Sequence, residues 1–228
     1  MDREVDMSVV SDGRLYTSND MVKLGSGDCR GCYKCCQNMG NSIILDPMDV
    51  HNISHGTDVT FEQLLANGSI ELNVVEGIIL PDLKMTGQNG ACSFLNEKGR
   101  CSIHDIRPGI CRLFPLGRIY DGESFKYFLQ VDECPNNKTK VKIKKWLGID
   151  NITEYENYIS RWHYFLKNIS GKILSGKIDE NNTKNINMYI LNNFYIKPFA
   201  ANDFYTQFET RINEAETGVF CNTFKAQG

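Results

Sequence analysis

The sequence predicts an α+β protein in which an irregular cysteine-rich metal-binding module with a few short strands packs against a mainly helical C-terminal part. Eight of the nine cysteines lie between residues 29 and 134, and long apolar periodicities of helical type occur only after that segment. The predicted division is therefore an N-terminal lead-in segment (1–27), a cysteine-cluster metal-binding module (28–137) and a helical C-terminal part (138–228).

The elements of the first two segments are short. Residues 1–27 are polar and contain Gly25-Ser26-Gly27, which predicts a lead-in segment or an edge strand that ends in a turn. Helices are predicted at 47–54 and 60–67, the second with Thr60 at its start and Asn67-Gly68 at its end. The partly alternating run 70–80 predicts one strand that Pro81 ends.

The C-terminal part is expected to be helical. Tyr, Trp, Phe, Leu and Ile side chains recur at helical spacing over 153–170, with Thr153 as a candidate N-cap and Gly171 as a candidate stop. Further helices are predicted at 181–195 and 202–216. These aromatic stripes could line a cofactor pocket, but we interpret them as core, which is the commoner use of such a stripe.

Five lysines lie between residues 138 and 145. They could form a basic arm for an acidic partner or for nucleic acid. We favour the solvated face of a linker or of a helix start, because only Trp146 accompanies them as a potential stacking residue.

The densest group of thiols is the segment 29-CRGCYKCC-36, with Cys29, Cys32, Cys35 and Cys36. A CxxC turn lets two sulfurs converge on one centre while backbone N–H groups hydrogen-bond the thiolates, which suits tetrahedral zinc or an iron–sulfur cluster. Adjacent side chains tend to diverge, so Cys35 and Cys36 are expected to have different roles.

Four further cysteines complete the predicted ligand set, namely Cys92, Cys101, Cys111 and Cys134. The turn-like sequence Asn96-Glu97-Lys98-Gly99 lies between the first two and would bring them together as a hairpin. The sequence leaves open which cysteines share a site, and it leaves iron–sulfur and zinc as alternatives because both accept four thiolates.

Three other interpretations of the cysteines compete with metal binding. A disulfide framework is disfavoured because the chain is long for a stapled small domain and residues 1–11 are acidic where a secretory signal would be basic and apolar. A buried thiol of the ordinary kind is the interpretation we give to Cys221 alone. A redox dithiol is ranked below metal, since no βαβ pattern surrounds Cys29. We therefore expect a cytoplasmic protein.

The segment 99–118 is locally cationic, with four arginines against Asp105. A four-thiolate centre carries negative charge, so Arg107 and Arg112 are candidates either for compensating that charge or for cofactor binding through a carboxylate. Structural ion pairs with Asp46 or Asp49 are the third alternative. His104 is expected to be a packed or hydrogen-bonded imidazole instead of a ligand.

These motifs together resemble the YkgJ-type cysteine-cluster family, a group of zinc- or iron-chelating domains that includes flagellin lysine N-methylases. The resemblance covers about residues 28–136 and rests on the CxGCxxCC cluster, Leu45 to Val50, Cys92 to Leu95, Gly99 to His104, Arg107-Pro108, Cys111 to Pro115 and Cys134. It implies a metal centre, either a 4Fe-4S cluster or zinc, and S-adenosylmethionine as a methyl donor. It also implies a protein substrate such as flagellin.

Composition and motifs limit the other function classes. A net charge of −3 and a pI near 5.8 give no overall basic footprint for nucleic acid, and no apolar run is long enough to span a bilayer. Dinucleotide, Walker A, HExxH and GxSxG motifs are absent from the sequence. Two hypotheses remain, a lysine N-methylase with a 4Fe-4S cluster and a non-catalytic zinc-binding structural or partner-binding module.

Overall fold

The computed structural model describes residues 6–25, 32–86, 90–134 and 137–219, so Cys29 and Cys221 lie outside the described residues. The fold class is α+β, as predicted, with a helical C-terminal part. The helices are α1 (Met7–Val10), α2 (Pro47–Thr57), α3 (Phe61–Ala66), α4 (Gly109–Leu113), α5 (Ile143–Leu147), α6 (Ile152–Leu174), α7 (Glu180–Leu191) and α8 (Phe204–Glu214). The strands are β1 (Met21–Gly25), β2 (Ile70–Val75), β3 (Ile78–Leu83), β4 (Met85–Thr86), β5 (Ala91–Cys92), β6 (Leu116–Tyr120), β7 (Phe125–Leu129) and β8 (Asn137–Lys142).

The strands form four antiparallel two-stranded ribbons, β1 with β8, β2 with β3, β4 with β5 and β6 with β7. The first ribbon joins distant parts of the chain, because β1 belongs to the predicted lead-in segment and β8 begins at Asn137. Val22 and Leu24 of β1 are buried on its inner face. The division of the chain into three segments stays a prediction.

Both predicted helices of the cysteine module are confirmed, and their ends follow from side-chain caps. The side chains of Asp46 and Thr60 each accept a hydrogen bond from the backbone N–H of the third residue of their helix. In turn, the side chains of those third residues, Asp49 and Gln63, accept from the backbone N–H of the cap residue. Pro47 occupies the first position of α2, where its fixed φ suits a helix start.

The prediction of one strand over 70–80 was wrong, since residues 70–83 form the β2–β3 hairpin. Glu76 and Gly77 at its tip both have positive φ, 49° and 85°, as a tight primed turn requires. Pro81 lies inside β3 instead of ending it. Its carbonyl points away from β2 and accepts from the backbone N–H of Leu45, so the missing proline N–H takes no bond from the hairpin.

The hairpin tip docks against the C-terminal helices. Ser170 of α6 donates to the carbonyl of Glu76 at 2.9 Å. Asn187 of α7 accepts from Ile79 N–H at 2.8 Å and donates to the Gly77 carbonyl at 3.1 Å. A Cβ atom at Gly77 would lie 2.7 Å from Cγ2 of Ile173, so this position accepts only glycine without rearrangement.

The C-terminal helices differ from the predicted ones at their ends. Asn151, and not Thr153, is the N-cap residue of α6, and Gly171 is an interior residue because the helix continues to Leu174. Gly176, with φ 72°, follows that end. Two further turns of π-helix extend α7 and α8, over Asn192–Ile196 and Ala215–Val219.

The aromatic stripe of α6 is core, as predicted. Trp162 and Phe165 are buried with ring centroids 5.6 Å apart, and Trp162 lies 5.1 Å from Phe194. Tyr158 contacts Phe208 of α8 at 4.6 Å. Closely packed rings of this kind contribute beyond their buried area, so these helices carry much of the apolar core.

Three glycine substitutions test the interior position of Gly171 in α6 and the docking of the β2–β3 hairpin tip on that helix. Gly171→Ala should raise the free energy of unfolding by about 0.5–1 kcal/mol, because alanine costs less backbone entropy in a helix and nothing lies within 4 Å of the new Cβ. Gly77→Ala should lower it by about 1–2 kcal/mol from the positive φ alone, with the contact to Ile173 adding to the loss.

Gly176→Ala is the matched control, since φ of Gly176 is also positive, at 72° against 85° for Gly77, but open space surrounds the added Cβ. Denaturant unfolding would measure all three variants. Equal losses for Gly77→Ala and Gly176→Ala would contradict the docking of the hairpin tip on α6.

Candidate metal centre

One cavity of about 610 Å³ brings together most of the predicted ligands. Its lining includes six cysteines from both halves of the module, Cys32, Cys35, Cys36, Cys92, Cys101 and Cys111. All seven cysteines in the described part of the chain are free thiols. The cysteines of the cluster motif and those of the second set therefore face a common space.

Hydrogen bonds of the main chain hold the two sets side by side. Gln37, just after the cluster motif, pairs with Ala91 of β5 as an isolated bridge, and Asn38 N–H donates to the carbonyl of Gly90 at 2.8 Å. Because Cys36 and Cys92 are the immediate neighbours of this bridge, it fixes the first thiol group against the second.

The predicted hairpin between Cys92 and Cys101 is present. The side chain of Asn96 accepts from the N–H groups of Lys98 and Arg100, both at 3.0 Å, and Leu95 pairs with Cys101. Asparagine is suited to such a turn because its short amide side chain reaches its own backbone two residues on.

Helix α4 carries Cys111, and Asp49 of α2 fixes its start. Oδ1 of Asp49 accepts from the backbone N–H of Gly109 at 2.7 Å, across 60 residues of sequence. A Cβ atom at Gly109 would collide with the hydroxyl of Tyr155. The small residue thus allows α4 to approach both α2 and α6.

The carboxylates of Asp46 and Asp49 belong to a cluster of buried polar side chains. Asp46 accepts from the hydroxyl of Tyr158 at 2.9 Å, and that hydroxyl accepts from Met48 N–H at 3.0 Å. Arg118 donates to the hydroxyl of Tyr155 at 3.1 Å. Sequence analysis missed this group, because it considered Asp46 and Asp49 only as ion-pair partners of the candidate arginines, and their actual partners are about 60 to 110 residues away.

Backbone donors face the sulfurs of the hairpin cysteines. Burial raises the pKa of Cys92 and of Cys101, and the N–H groups of Phe94 and Ile103 act against that rise by donating to the two sulfurs. In each case the donor is two residues beyond the cysteine, which is the arrangement that stabilises a thiolate. Burial likewise raises the pKa of Cys111.

The side chains of Cys35 and Cys36 meet instead of diverging, so their expected difference in role stays a prediction, but their pKa values shift in opposite directions. The Cys36 thiol donates to the sulfur of Cys35, and this bond, with help from the positive charge of Arg107, lowers the pKa of Cys35 to about 7. The same bond, together with burial, raises the pKa of Cys36. Cys35 is therefore the thiol of the pair that deprotonates more easily.

The two candidate arginines lie on the cavity wall but have different neighbours. Arg107 donates to the carbonyl of His104 at 3.0 Å and lies 2.9 Å from its Nε2, so His104 is a hydrogen-bonded imidazole as expected. The charge of Arg107 also lowers the pKa of Cys35 and of Cys101, although the pKa of Cys101 is raised overall by burial. Arg107 thus adjoins the thiols.

Arg112 donates to the carbonyls of Arg107, at 3.1 Å, and Asp105. Among the described residues, neither arginine forms an ion pair with Asp46 or Asp49, so the structure does not contain the ion pairs that were the third alternative. Arg112 lines the cavity together with Lys145 and Gly148 of α5 and its end.

The remaining predicted residues are placed as follows. Cys134 is half-buried and is not among the described residues that line the cavity. Cys29 lies outside the described residues. Within the described ranges, no three cysteine, histidine or acidic side chains are already arranged around one point as ligands of an ion. The ligand set stays a prediction, and the site is defined by its lining.

Comparison with known proteins identifies the same part of the chain as a metal-chelating domain. A family model named CxxCxxCC, with the description "Putative zinc- or iron-chelating domain", matches residues 28–144, just over half of the chain. No solved structure matches the chain. Over the part of the chain that the structure describes, no helix has the length and apolar character needed to cross a membrane.

Substitution of Asp49 tests how the site is positioned. Asp49→Ala should lower the free energy of unfolding by about 2 kcal/mol or more, since it leaves the buried N–H of Gly109 without a partner, and it should reduce the metal content by releasing α4. Asp49→Asn keeps an acceptor oxygen for Gly109 and should retain metal. Unfolding measurements and metal analysis would compare them, and equal metal content in Asp49→Ala and the wild type would contradict this role.

The stabilities of Asp49→Asn and of the wild type should also depend differently on pH. Burial raises the pKa of Asp49 well above 3.8, so its contribution to stability is greatest below that value and is lost as pH rises through the pKa of the folded state. Asparagine does not titrate. The stability of Asp49→Asn relative to the wild type should therefore increase from about pH 4 to about pH 7.

Proposed function

The chain belongs to the CxxCxxCC family of zinc- or iron-chelating domains, and we propose that its cysteine-lined cavity holds a 4Fe-4S cluster. The observation that carries the proposal is the meeting of six thiols on one cavity of about 610 Å³. A structural zinc ion is closely enclosed by four ligands, whereas a cluster also needs four thiolates but occupies more space. The size of the cavity favours the cluster.

The residues around the cavity fit this group. We propose Cys35, Cys92, Cys101 and Cys111 as the four thiolates. Cys35 has the lower pKa of its pair, and the other three, on the Cys92–Cys101 hairpin and on α4, line the same cavity. Cys32, Cys36 and the predicted ligands Cys29 and Cys134 would be neighbours or alternative ligands. A bound cluster supplies one-electron chemistry or structural stability.

Charge compensation supports the same assignment. A 4Fe-4S cluster with four thiolates has a formal charge of −2 in its common oxidised state, so its burial requires donors or cations nearby. Arg107 and the N–H groups of Phe94 and Ile103 supply these around Cys35, Cys92 and Cys101. Zinc in a four-cysteine site is the alternative, in a non-catalytic structural or partner-binding module.

Protein purified without oxygen should be brown and contain iron and acid-labile sulfide, because iron–thiolate charge transfer absorbs visible light and zinc–thiolate does not. Cys101→Ser should lose most of the colour and iron, while Cys221→Ser should keep both. Metal analysis and visible absorption would check this. Colourless protein with stoichiometric zinc would refute the cluster and leave the zinc module.

As a second function we propose protein lysine N-methylation with S-adenosylmethionine as the donor. Two observations support it, the family resemblance and a cavity that has room beyond its thiols, with Arg112, Lys145 and Trp146 on the wall. Arg107 and Arg112 are the candidates to bind the carboxylate of the donor, since guanidinium groups match carboxylates. Flagellin is the proposed kind of protein substrate, and the cytoplasm the proposed location, where thiols stay reduced.

Titration of metal-loaded protein with S-adenosylmethionine should show saturable heat and a rise in melting temperature, because a ligand that prefers the folded state stabilises it. Arg112→Ala should weaken binding without loss of metal. Arg107→Ala should affect both, since Arg107 adjoins the thiols. Lys197→Ala, an exposed change outside the cavity lining, is the control. No heat with fully loaded protein would refute the methylase and leave the metal centre.

A further inference from the structure

The ribbon of β1 and β8 presents a lysine-rich outer face, which we call the lysine ribbon (Lys23, Lys140 and Lys142). Lys23 lies directly opposite Lys140 in the register, and Met21 lies opposite Lys142. The alternate residues Val22 and Leu24 are buried, so Lys23 and its cross-strand neighbours are on the exposed side. Three ammonium groups therefore share one small surface.

The repulsion between these lysines destabilises the ribbon of β1 and β8. Like charges directly opposite each other on paired strands are destabilising. Among the described residues, none of the three lysines forms an ion pair. The segments 20–25 and 137–148 contain six lysines and a single acid, Asp20, whose carboxylate accepts hydrogen bonds from Thr17 at 2.7 Å. Over the part of the chain that the structure describes, folding thus supplies no ion-pair partner for this charge.

The positive charge continues from the ribbon to the cavity. Strand β8 leads directly into α5, so Lys142 and Lys145 are separated by three residues, a rise of about 5 Å along a helix. Lys145 is exposed and lines the cavity, together with Arg100, Arg107 and Arg112. Four cationic side chains and one acid, Asp105, thus line this cavity, in a chain of net charge −3.

We propose that the lysine ribbon is a docking surface for an acidic polypeptide segment, which it presents to the cavity. Nucleic acid fits less well, because the indole of Trp146 donates to the carbonyl of Phe114 at 3.3 Å and packs against the core, so it is not a free stacking platform. Charge complementarity of this kind guides encounter and selects partners. The surface would act in this way whichever metal the cysteines bind.

The test is fluorescence anisotropy of a labelled polyglutamate peptide with full-length, metal-loaded protein, at an ionic strength of about 0.15 M so that weak surface attraction is screened. Wild-type protein should bind it saturably, and the triple change Lys23→Gln, Lys140→Gln and Lys142→Gln should weaken binding about tenfold. The control triple change at Lys177, Lys184 and Lys197, all exposed lysines of the C-terminal part, alters net charge equally and should have little effect.

Four results would overturn the proposal. One is no saturable binding of polyglutamate by the wild type, and another is equal weakening by the two triple variants. The third is tighter binding of a single-stranded oligonucleotide than of the peptide. Metal content measured on the same samples separates this test from that of the metal centre. Loss of metal from the ribbon variant would also overturn the proposal, because the lysines would then serve the centre itself.

Discussion

The hydrogen bond from Gly109 N–H to the buried carboxylate of Asp49 is the constraint on which the arrangement of the site depends. It joins α2 to the start of α4, so it fixes where Cys111 enters the cavity. The bond is possible only because glycine lets α4 approach Tyr155 of the long helix α6. Helix α2, the thiol-bearing helix α4 and the long helix α6 thus meet at one point.

The second constraint is electrostatic. Six thiols face one cavity, and burial raises the pKa of Cys92, Cys101 and Cys111, so burial alone favours the neutral form of these three thiols. The N–H groups of Phe94 and Ile103 and the cation of Arg107 act in the opposite direction. A bound cation completes this compensation, because thiolates are the ligand form and the metal supplies the positive charge. Metal binding and folding of the module should therefore be coupled.

Local signals in the sequence predicted the elements that local physics determines. The caps at Thr60 and the turn at Asn96 were identified because each side chain bonds its own backbone nearby. The β2–β3 hairpin was missed because its turn, Glu76-Gly77, lies inside a run that was predicted as one strand. Pro81 suggested the end of that strand, whereas its carbonyl accepts from the N–H of Leu45 in a distant segment. The role of Asp49 could not be predicted, since a residue 60 positions away defines it. The cysteine spacing indicated a metal centre, but only the fold shows which thiols share a cavity.

The thiols of the cluster motif and those of the second set line one cavity, and we propose that they bind a single iron–sulfur centre. X-ray absorption at the iron edge, on protein purified without oxygen, tests it most directly because it reports both the ligand atoms and neighbouring metal atoms. A bound cluster should give sulfur as the nearest-neighbour ligand only and a clear iron–iron scattering contribution. An isolated metal ion with nitrogen or oxygen ligands and no metal–metal scattering would contradict it.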